Sequence, residues 1–331
     1  MLMSNIVTVK TMLMPRRTLG GTGLKVSVLG FGASPLGGVF HPVDEESCTR
    51  AVHAAFHAGV NFFDTSPFYG ATKSEMMLGK ALAGLPRSEI IISTKVGRYG
   101  QDHFDFSAER VSASVEESLG RLQTNYIDLI QCHDIEFGDL DQVINETLPA
   151  LIKLREKGVV RHIGITGLPF SAFHYVLDRC PLGTVDVILS YCHNCLNDDS
   201  LVMELPYFEE KHVGVINASP LAMGLLTKQG PPDWHPAPLA LKEAAKAAAL
   251  KAEECGVDIA KIALAEAIKT PGIATTLVGM ATFEVVTANV TTTLQAFGLV
   301  PNDVQSQEET AALEVRDALK GVMGMTWPSG R

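Results

Sequence analysis

The sequence predicts an α/β fold: a single (β/α)8 barrel of the TIM type, with an N-terminal β-hairpin and an extra C-terminal helix. Three observations carry that prediction. Short β-rich runs alternate with helix-patterned segments eight times along the 331 residues. The runs, such as 185–191 (VDVILSY) and 89–95 (EIIISTK), are nearly all apolar, as expected of parallel strands buried on both faces. No linker-like stretch divides the chain. A length that suggests two domains of roughly 150 residues each therefore reads as one closed barrel rather than a doubly wound open sheet.

The elements follow in order. Segments 16–19 and 25–28 flank Gly20-Gly21-Thr22-Gly23 and form a hairpin whose glycines supply the positive φ of a tight turn; it is expected to plug the N-terminal mouth of the barrel. Strand 29–34 leads to helix 44–58, with Asp44 as N-cap. Strand 60–65 and helix 73–83 come next, then strand 89–95 and helix 107–122, capped by Ser107 with Arg110 and Glu117 on its polar side. Strand 126–133 precedes helix 140–157, closed by Gly158. Strand 160–166 pairs with helix 171–179, and strand 185–191 with helix 200–211. Strand 213–218 runs into a proline-rich irregular stretch, 228–238, followed by helices 239–254 and 258–269, broken at Gly256. Strand 273–279, helix 283–297, a further helix 303–319 and a tail ending Trp327-Pro328-Ser329-Gly330-Arg331 complete the chain. Residues 1–14 are expected to be a flexible N-terminal extension, with 15–331 forming the barrel domain.

Composition removes several function classes. With 27 Lys+Arg against 37 Asp+Glu the net charge is −10, which lacks the excess of cations that nucleic-acid binding uses. No run approaches about 18 apolar residues, so no membrane-spanning helix is expected. The N-terminal segment has neither the apolar core nor the cleavage site of a secretory signal. The six cysteines are irregularly spaced, and Cys192 and Cys195 have CxxC spacing with no second ligand pair. Reduced thiols in a cytoplasmic protein, and no metal, are the expectation. Neither a monomer nor a homodimer is favoured.

In such barrels chemistry sits at the C-terminal ends of the strands. Asp64, Lys95 and His133 end three consecutive strands there, and Tyr69 lies in the loop after Asp64. Each residue alone has an ordinary explanation: a helix cap, a solvated cation, a hydrogen-bonded core histidine, a surface-packed ring. Together they do not, because Asp64 and Lys95 end apolar strands where an unpaired charge is costly. A pair between them offsets that cost. A Lys ammonium beside a Tyr hydroxyl also stabilises phenolate, pulling down a pKa that starts near 10 and making Tyr69 a general acid or base.

Phe63-Asp64-Thr65-Ser66 with Tyr69-Gly70, Thr94-Lys95 and Gln131-Cys132-His133, together with Leu29-Gly30-Phe31-Gly32 and Ala218-Ser219-Pro220-Leu221, resemble the pattern of the aldo-keto reductase family across residues 15–300. The resemblance implies a metal-free oxidoreductase using NAD or NADP without a Rossmann domain. It implies Tyr69 as proton donor or acceptor, Lys95 as the group that lowers its pKa, Asp64 as the holder of Lys95, and His133 as the residue that orients the substrate oxygen. Hydride would pass directly between nicotinamide and substrate carbon.

For the cofactor the resemblance points to Gly32, Ala33, Thr166, Ser190, Ser219, Leu221, Gly224, Gly279, Thr282 and Asn289. Thr166-Gly167 replaces the family's Ser-Asn pair, and Ala218 stands where an aromatic ring often stacks on the nicotinamide. Segment 279–285 holds no Lys or Arg for an adenosine 2′-phosphate, so NAD is expected. Segments 30–37, 164–169 and 186–192 and the tail are similar to sugar dehydrogenases of the family. They imply a small sugar substrate, with oxidation of L-galactose at C1 to L-galactono-1,4-lactone, a step of ascorbate synthesis. His41, Tyr99, His103, Asp134 and Trp327 are the candidates to contact the sugar. Two alternatives remain open: a family member acting on L-fucose, a related aldose or an aldehyde, and a cofactor-binding regulatory subunit.

Overall fold

In the computed structural model, which describes residues 14–39 and 42–329, a closed barrel of eight parallel strands forms the centre. An antiparallel pair, β1 (Arg16–Thr18) and β2 (Lys25–Ser27), precedes it. The barrel strands are β3 (Leu29–Gly32), β4 (Phe62–Asp64), β5 (Ile91–Val96), β6 (Ile127–Cys132), β7 (Val160–Gly167), β8 (Val187–Tyr191), β9 (Gly214–Ala218) and β10 (Thr275–Gly279). They pair in chain order, and β10 closes against β3.

The hairpin seals the N-terminal end as expected. Leu19, at its turn, is fully buried in one apolar cluster with Phe62, Ile91, Leu129, Val187, Ile216 and Leu277, the inward residues of the strands. Gly20 and Gly23 take positive φ (50° and 75°), and a Cβ on Gly20 would collide with the backbone of Gly214 at the start of β9. Asn61 stitches the hairpin to β4: its Oδ1 accepts from Ser27 N at 2.7 Å and its Nδ2 donates to Lys25 O at 2.9 Å.

Helices Glu45–His57, Lys73–Leu82, Ala108–Leu122, Phe170–Leu177, Ser200–Glu210 and Phe283–Ala296 follow β3, β4, β5, β7, β8 and β10. Asp44 and Ser107 cap the first and third through Ser47 N and Arg110 N, where the sequence places caps. The segment after β6 departs from the single expected helix. Leu140–Gln142 and Leu148–Glu156 are α-helical, with a π turn, Val143–Thr147, between them. Pro149 explains this: it has no N–H to return to Asn145 O, and its ring pushes against that carbonyl, so the turn widens. The chain between β9 and β10 carries two helices, Leu239–Glu254 and Ile259–Ala267, and the extra C-terminal helix Gln305–Leu319 packs on the first of them.

Met14, assigned by the sequence to the flexible extension, is only 2% exposed and sits against Gly59. The core therefore begins one residue earlier than expected; residues 1–13 of that extension lie outside the described residues. Among the described residues no helix is long and apolar enough to cross a membrane, and no group of His, Cys, Asp and Glu could hold a metal.

Candidate active site

Strand parity decides which side chains enter the barrel. Register pairs Asp64 with Ser93 and Lys95 with Gln131, so four inward polar groups from three adjacent strands meet above the apolar lower half. Lys95 Nζ donates to Asp64 Oδ1 at 2.5 Å and to Thr65 O at 2.8 Å. Ser93 Oγ donates to Asp64 Oδ2 at 2.8 Å, and Gln131 Nε2 bridges Ser93 Oγ at 2.8 Å and Asp64 Oδ2 at 3.2 Å. Both members of the ion pair are buried, Lys95 at 1% and Asp64 at 3% exposure. Burial disfavours the charge on Lys95, but Asp64 and Tyr69 outweigh it and hold the pKa above the usual lysine value.

Tyr69 follows β4 in a loop with little freedom. Gly70, Ala71 and Thr72 all adopt left-handed backbone, with φ of 62°, 49° and 74°. Such residues cost about 1–3 kcal/mol each when not glycine and cluster at functional sites. A Cβ on Gly37 would come within 2.9 Å of Tyr69 O, so the two loops are locked together. The Lys95 ammonium lies 5.0 Å from the Tyr69 ring centroid, and the His133 ring meets that ring edge-on at 5.6 Å. Burial is the largest influence on the Tyr69 phenol and raises its pKa; Lys95 lowers it, Asp64 and Asp134 raise it, and the net displacement is upward from 10. Lys95 thus acts in the expected direction but offsets only part of the burial cost.

His133 is buried, and burial, opposed by Asp134, lowers its pKa to about 3, so it is neutral at working pH. Its Nδ1 lies 3.0 Å from Ser66 Oγ, which already accepts from Phe68 N at 3.1 Å. Its Nε2 faces Asp134 Oδ2 at 3.6 Å. A lone pair on Nε2 would oppose that carboxylate, so the proton belongs on Nε2 and Ser66 donates to Nδ1. Nε2–H is then the donor available to a substrate oxygen. The same burial gives a stability signature. As pH falls from 6.5 towards 3, the unfolded chain binds a proton at His133 that the folded chain does not, so stability declines by roughly 1.4 kcal/mol per pH unit. We expect the stability difference between wild type and His133→Gln, measured by urea unfolding, to shift against wild type by that slope below pH 6.5. A pH-independent difference would contradict a neutral, buried His133.

The remaining sequence candidates divide. Thr166, inward at the end of β7, accepts from Asp134 N at 2.9 Å and so lies beside His133. Gly32 ends β3 and Ala33 follows it, but the Ala33 side chain is buried in the outer core, leaving only its backbone at the rim. Ser190 shares the outward face of β8 with Ile188, while Leu189 points into the barrel. Its hydroxyl is buried in the strand–helix layer with no hydrogen-bond partner, on the opposite face of the sheet from the inward Asp64, Lys95 and His133. Ser219 (φ 57°) and Gly224 (φ 96°) bracket the strained loop containing Leu221 after β9. Gly279 ends β10, Thr282 caps the 14-residue helix Phe283–Ala296, and Asn289 on that helix has a buried, unpartnered Nδ2. A helix N-terminus that can accept a phosphate and an orphaned amide donor on the same helix are groups that a dinucleotide would use. Glu284, in the first turn, is exposed; the backbone and Thr282 lower its pKa, with Arg50 contributing.

Of the sugar candidates, Asp134 joins the site. Tyr99 turns away: its hydroxyl accepts from Gly97 N at 3.1 Å and its ring stacks against Arg110 at 4.2 Å. His103 is exposed on the same excursion. Trp327 is buried edge-on to His235 at 4.9 Å and packs with Ala222 and Leu225 beneath the β9 loop. His41 lies outside the described residues. His193 of the CxxC segment is structural, bonded to Asp198 Oδ2 at 2.9 Å and Leu168 O at 3.0 Å. Three residues not singled out in the sequence matter here. Arg98 is buried against Asp134 at 2.5 Å. Ser66 contacts His133. Glu136 binds Leu168 N at 3.0 Å and accepts from the tail's Ser329 Oγ at 2.8 Å. Burial, reinforced by Asp134, lifts the Glu136 pKa to about 7.

Comparison with known proteins agrees with this geometry. The sequence profile of the aldo/keto reductase family matches residues 28–310. The chain is 55% identical over 318 residues to L-galactose dehydrogenase of Arabidopsis thaliana, covering 95% of this chain and 97% of that protein. It is 38% identical over 225 residues to D-arabinose 1-dehydrogenase of Saccharomyces cerevisiae, covering 65% of this chain and 66% of that one. D-threo-aldose 1-dehydrogenase of a Pseudomonas species is 32% identical over 232 residues, 63% of this chain and 70% of that one. Among solved structures, the holo form of an aldo-keto reductase from Bacillus halodurans superposes with a TM-score of 0.72 at 28% identity, over 95% of this chain and 98% of that one. The barrel and the relatives agree: this chain belongs to the aldo/keto reductase family, oxidoreductases that use nicotinamide cofactors.

Proposed function

We propose that the protein oxidises L-galactose at C1 to L-galactono-1,4-lactone with NAD, in the cytoplasm, as a step of ascorbate synthesis. The observation that carries this reading is the intact Tyr69–Lys95–Asp64–His133 arrangement in a chain so similar, along almost its whole length, to a plant L-galactose dehydrogenase. L-Galactose and D-arabinose share their configuration at C2, C3 and C4, so the names of two relatives support one class of aldose.

A bound nicotinamide cofactor supplies the hydride acceptor. Tyr69, as phenolate, takes the proton of the C1 hydroxyl while that oxygen accepts from His133 Nε2–H. With that proton gone, loss of hydride from C1 to the bound acceptor would leave C1 as the lactone carbonyl carbon. Because the Tyr69 pKa lies above 10, the phenolate fraction grows with pH, and oxidation is expected to quicken from neutral into alkaline pH.

NAD preference rests on segment 279–285, which offers Glu284 and no cation to a 2′-phosphate. Absorbance of NADH formed from L-galactose tests both parts. We expect turnover with NAD and a kcat/KM at least about 10-fold below it with NADP, since charge-assisted bonds to the extra phosphate are missing. A higher kcat/KM with NADP overturns the cofactor reading. A kcat/KM for L-fucose above that for L-galactose overturns the substrate reading.

A further inference from the structure

Beside His133 stands an ion pair that the tetrad does not require. Arg98, 8% exposed, donates from Nη1 to Asp134 Oδ2 at 2.5 Å. Its guanidinium lies 4.0, 5.2 and 5.5 Å from the ring centroids of Phe68, Phe104 and Phe137, so it is held by packing on several sides. Asp134 is fixed independently: its backbone is left-handed (φ 48°), its N–H donates to Thr166 Oγ1 at 2.9 Å, and its Oδ1 accepts from the same hydroxyl at 3.3 Å. A buried pair of this kind is seldom worth more to stability than an apolar pair of equal volume. What it does provide is a carboxylate immobilised 3.6 Å from His133 Nε2, at the C-terminal rim of the barrel. An ionised carboxylate offers about four acceptor positions. Arg98 and Thr166 occupy two.

We propose that Asp134, positioned by Arg98, reads the hydroxyl on C2 of the sugar and thereby selects aldoses over aldehydes and alcohols that lack it. This rests on C1 oxidation of an aldose. The C1 oxygen accepts from His133 Nε2–H, and C1 has two neighbours, the ring oxygen and C2. The hydroxyl vicinal to the reacting oxygen is therefore the one on C2. Gauche vicinal oxygens lie about one hydrogen-bond length apart, comparable to the separation of His133 Nε2 and Asp134 Oδ2. One donor and one acceptor thus meet an acceptor and a donor on adjacent carbons. Arg98 does not touch the sugar and is a positioning residue.

The test compares kcat/KM for L-galactose with 2-deoxy-L-galactose, and for D-arabinose with 2-deoxy-D-arabinose, on the wild-type enzyme with NAD. Losing a hydrogen bond to a charged group should lower kcat/KM for each deoxy sugar by roughly 10- to 100-fold. The double variant Arg98→Met/Asp134→Leu removes both charges and strands neither. In it each ratio should collapse to within about 3-fold; its own ratio also accounts for any intrinsic difference in reactivity between the sugars. Asp134→Asn, which keeps a neutral acceptor, should give an intermediate ratio and covers the case in which the double variant does not fold. Equal kcat/KM for parent and deoxy sugars in the wild type, or an unchanged ratio in the variants, overturns the proposal. Silence on L-galactose with a full contrast on D-arabinose sinks the L-galactose assignment and leaves the C2 contact standing.

Discussion

Tyr69→Phe is expected to lower kcat for sugar oxidation by about 100-fold or more, the low end of what general acid–base catalysis supplies, while the affinity for NAD stays within about 2-fold. The substitution removes one oxygen and leaves the ring, whose edge contact with His133 and place beside Lys95 do not depend on the hydroxyl. Steady-state kinetics paired with titration of protein fluorescence by NADH separates the two effects. Turnover within about 3-fold of wild type would show that the proton leaves by another route.

The second large effect concerns the ion pair beneath Tyr69. Lys95→Met strands Asp64, and Asp64→Asn strands Lys95, each in a site less than 4% exposed. Breaking a buried pair from one side costs about 3–5 kcal/mol, whereas removing both charges is often neutral. The single variants should therefore unfold at markedly lower urea concentration. The double variant Asp64→Asn/Lys95→Met should recover most of that stability without recovering activity. The pH dependence separates catalysis from scaffolding. Lys95 draws the Tyr69 pKa down, so its loss moves that pKa up, and residual oxidation should rise at higher pH than in the wild type. A double variant as active as the wild type, or an unshifted pH profile in Lys95→Met, would confine the pair to a structural role.

Most of the barrel is legible in the sequence because each strand–helix unit repeats the same physical contrast: an apolar run, then an amphipathic helix. The catalytic candidates are legible for a related reason. Asp64, Lys95 and His133 interrupt apolar strands at one end, where a charge or an imidazole calls for a partner. Parity is less legible. In VDVILSY both faces are apolar, so alternation gives no inward side, and only the packing of Leu189 and Ile188 shows that Ser190 points outward. Tyr99 and His103 lie on an excursion that folds back through a bridge between Arg98 and Phe104, a non-local event that a linear reading cannot orient. Arg98 left a signal, a lone cation just past an apolar strand, but its partner Asp134 sits on the next strand end, and the distance between them is a property of the closed barrel.

The bond between Ser329 and Glu136 has a corollary for where substitutions act. Ser329 is tied at the catalytic rim to Glu136, a carboxyl that feels the charge of Asp134. Met14, the first residue described before β1, is packed against Gly59, ahead of β4 at the opposite end. A substitution such as Ser329→Ala would therefore act at the catalytic mouth, by taking a hydrogen-bond donor from Glu136. A substitution at Met14 would act on the sealed side of the barrel instead.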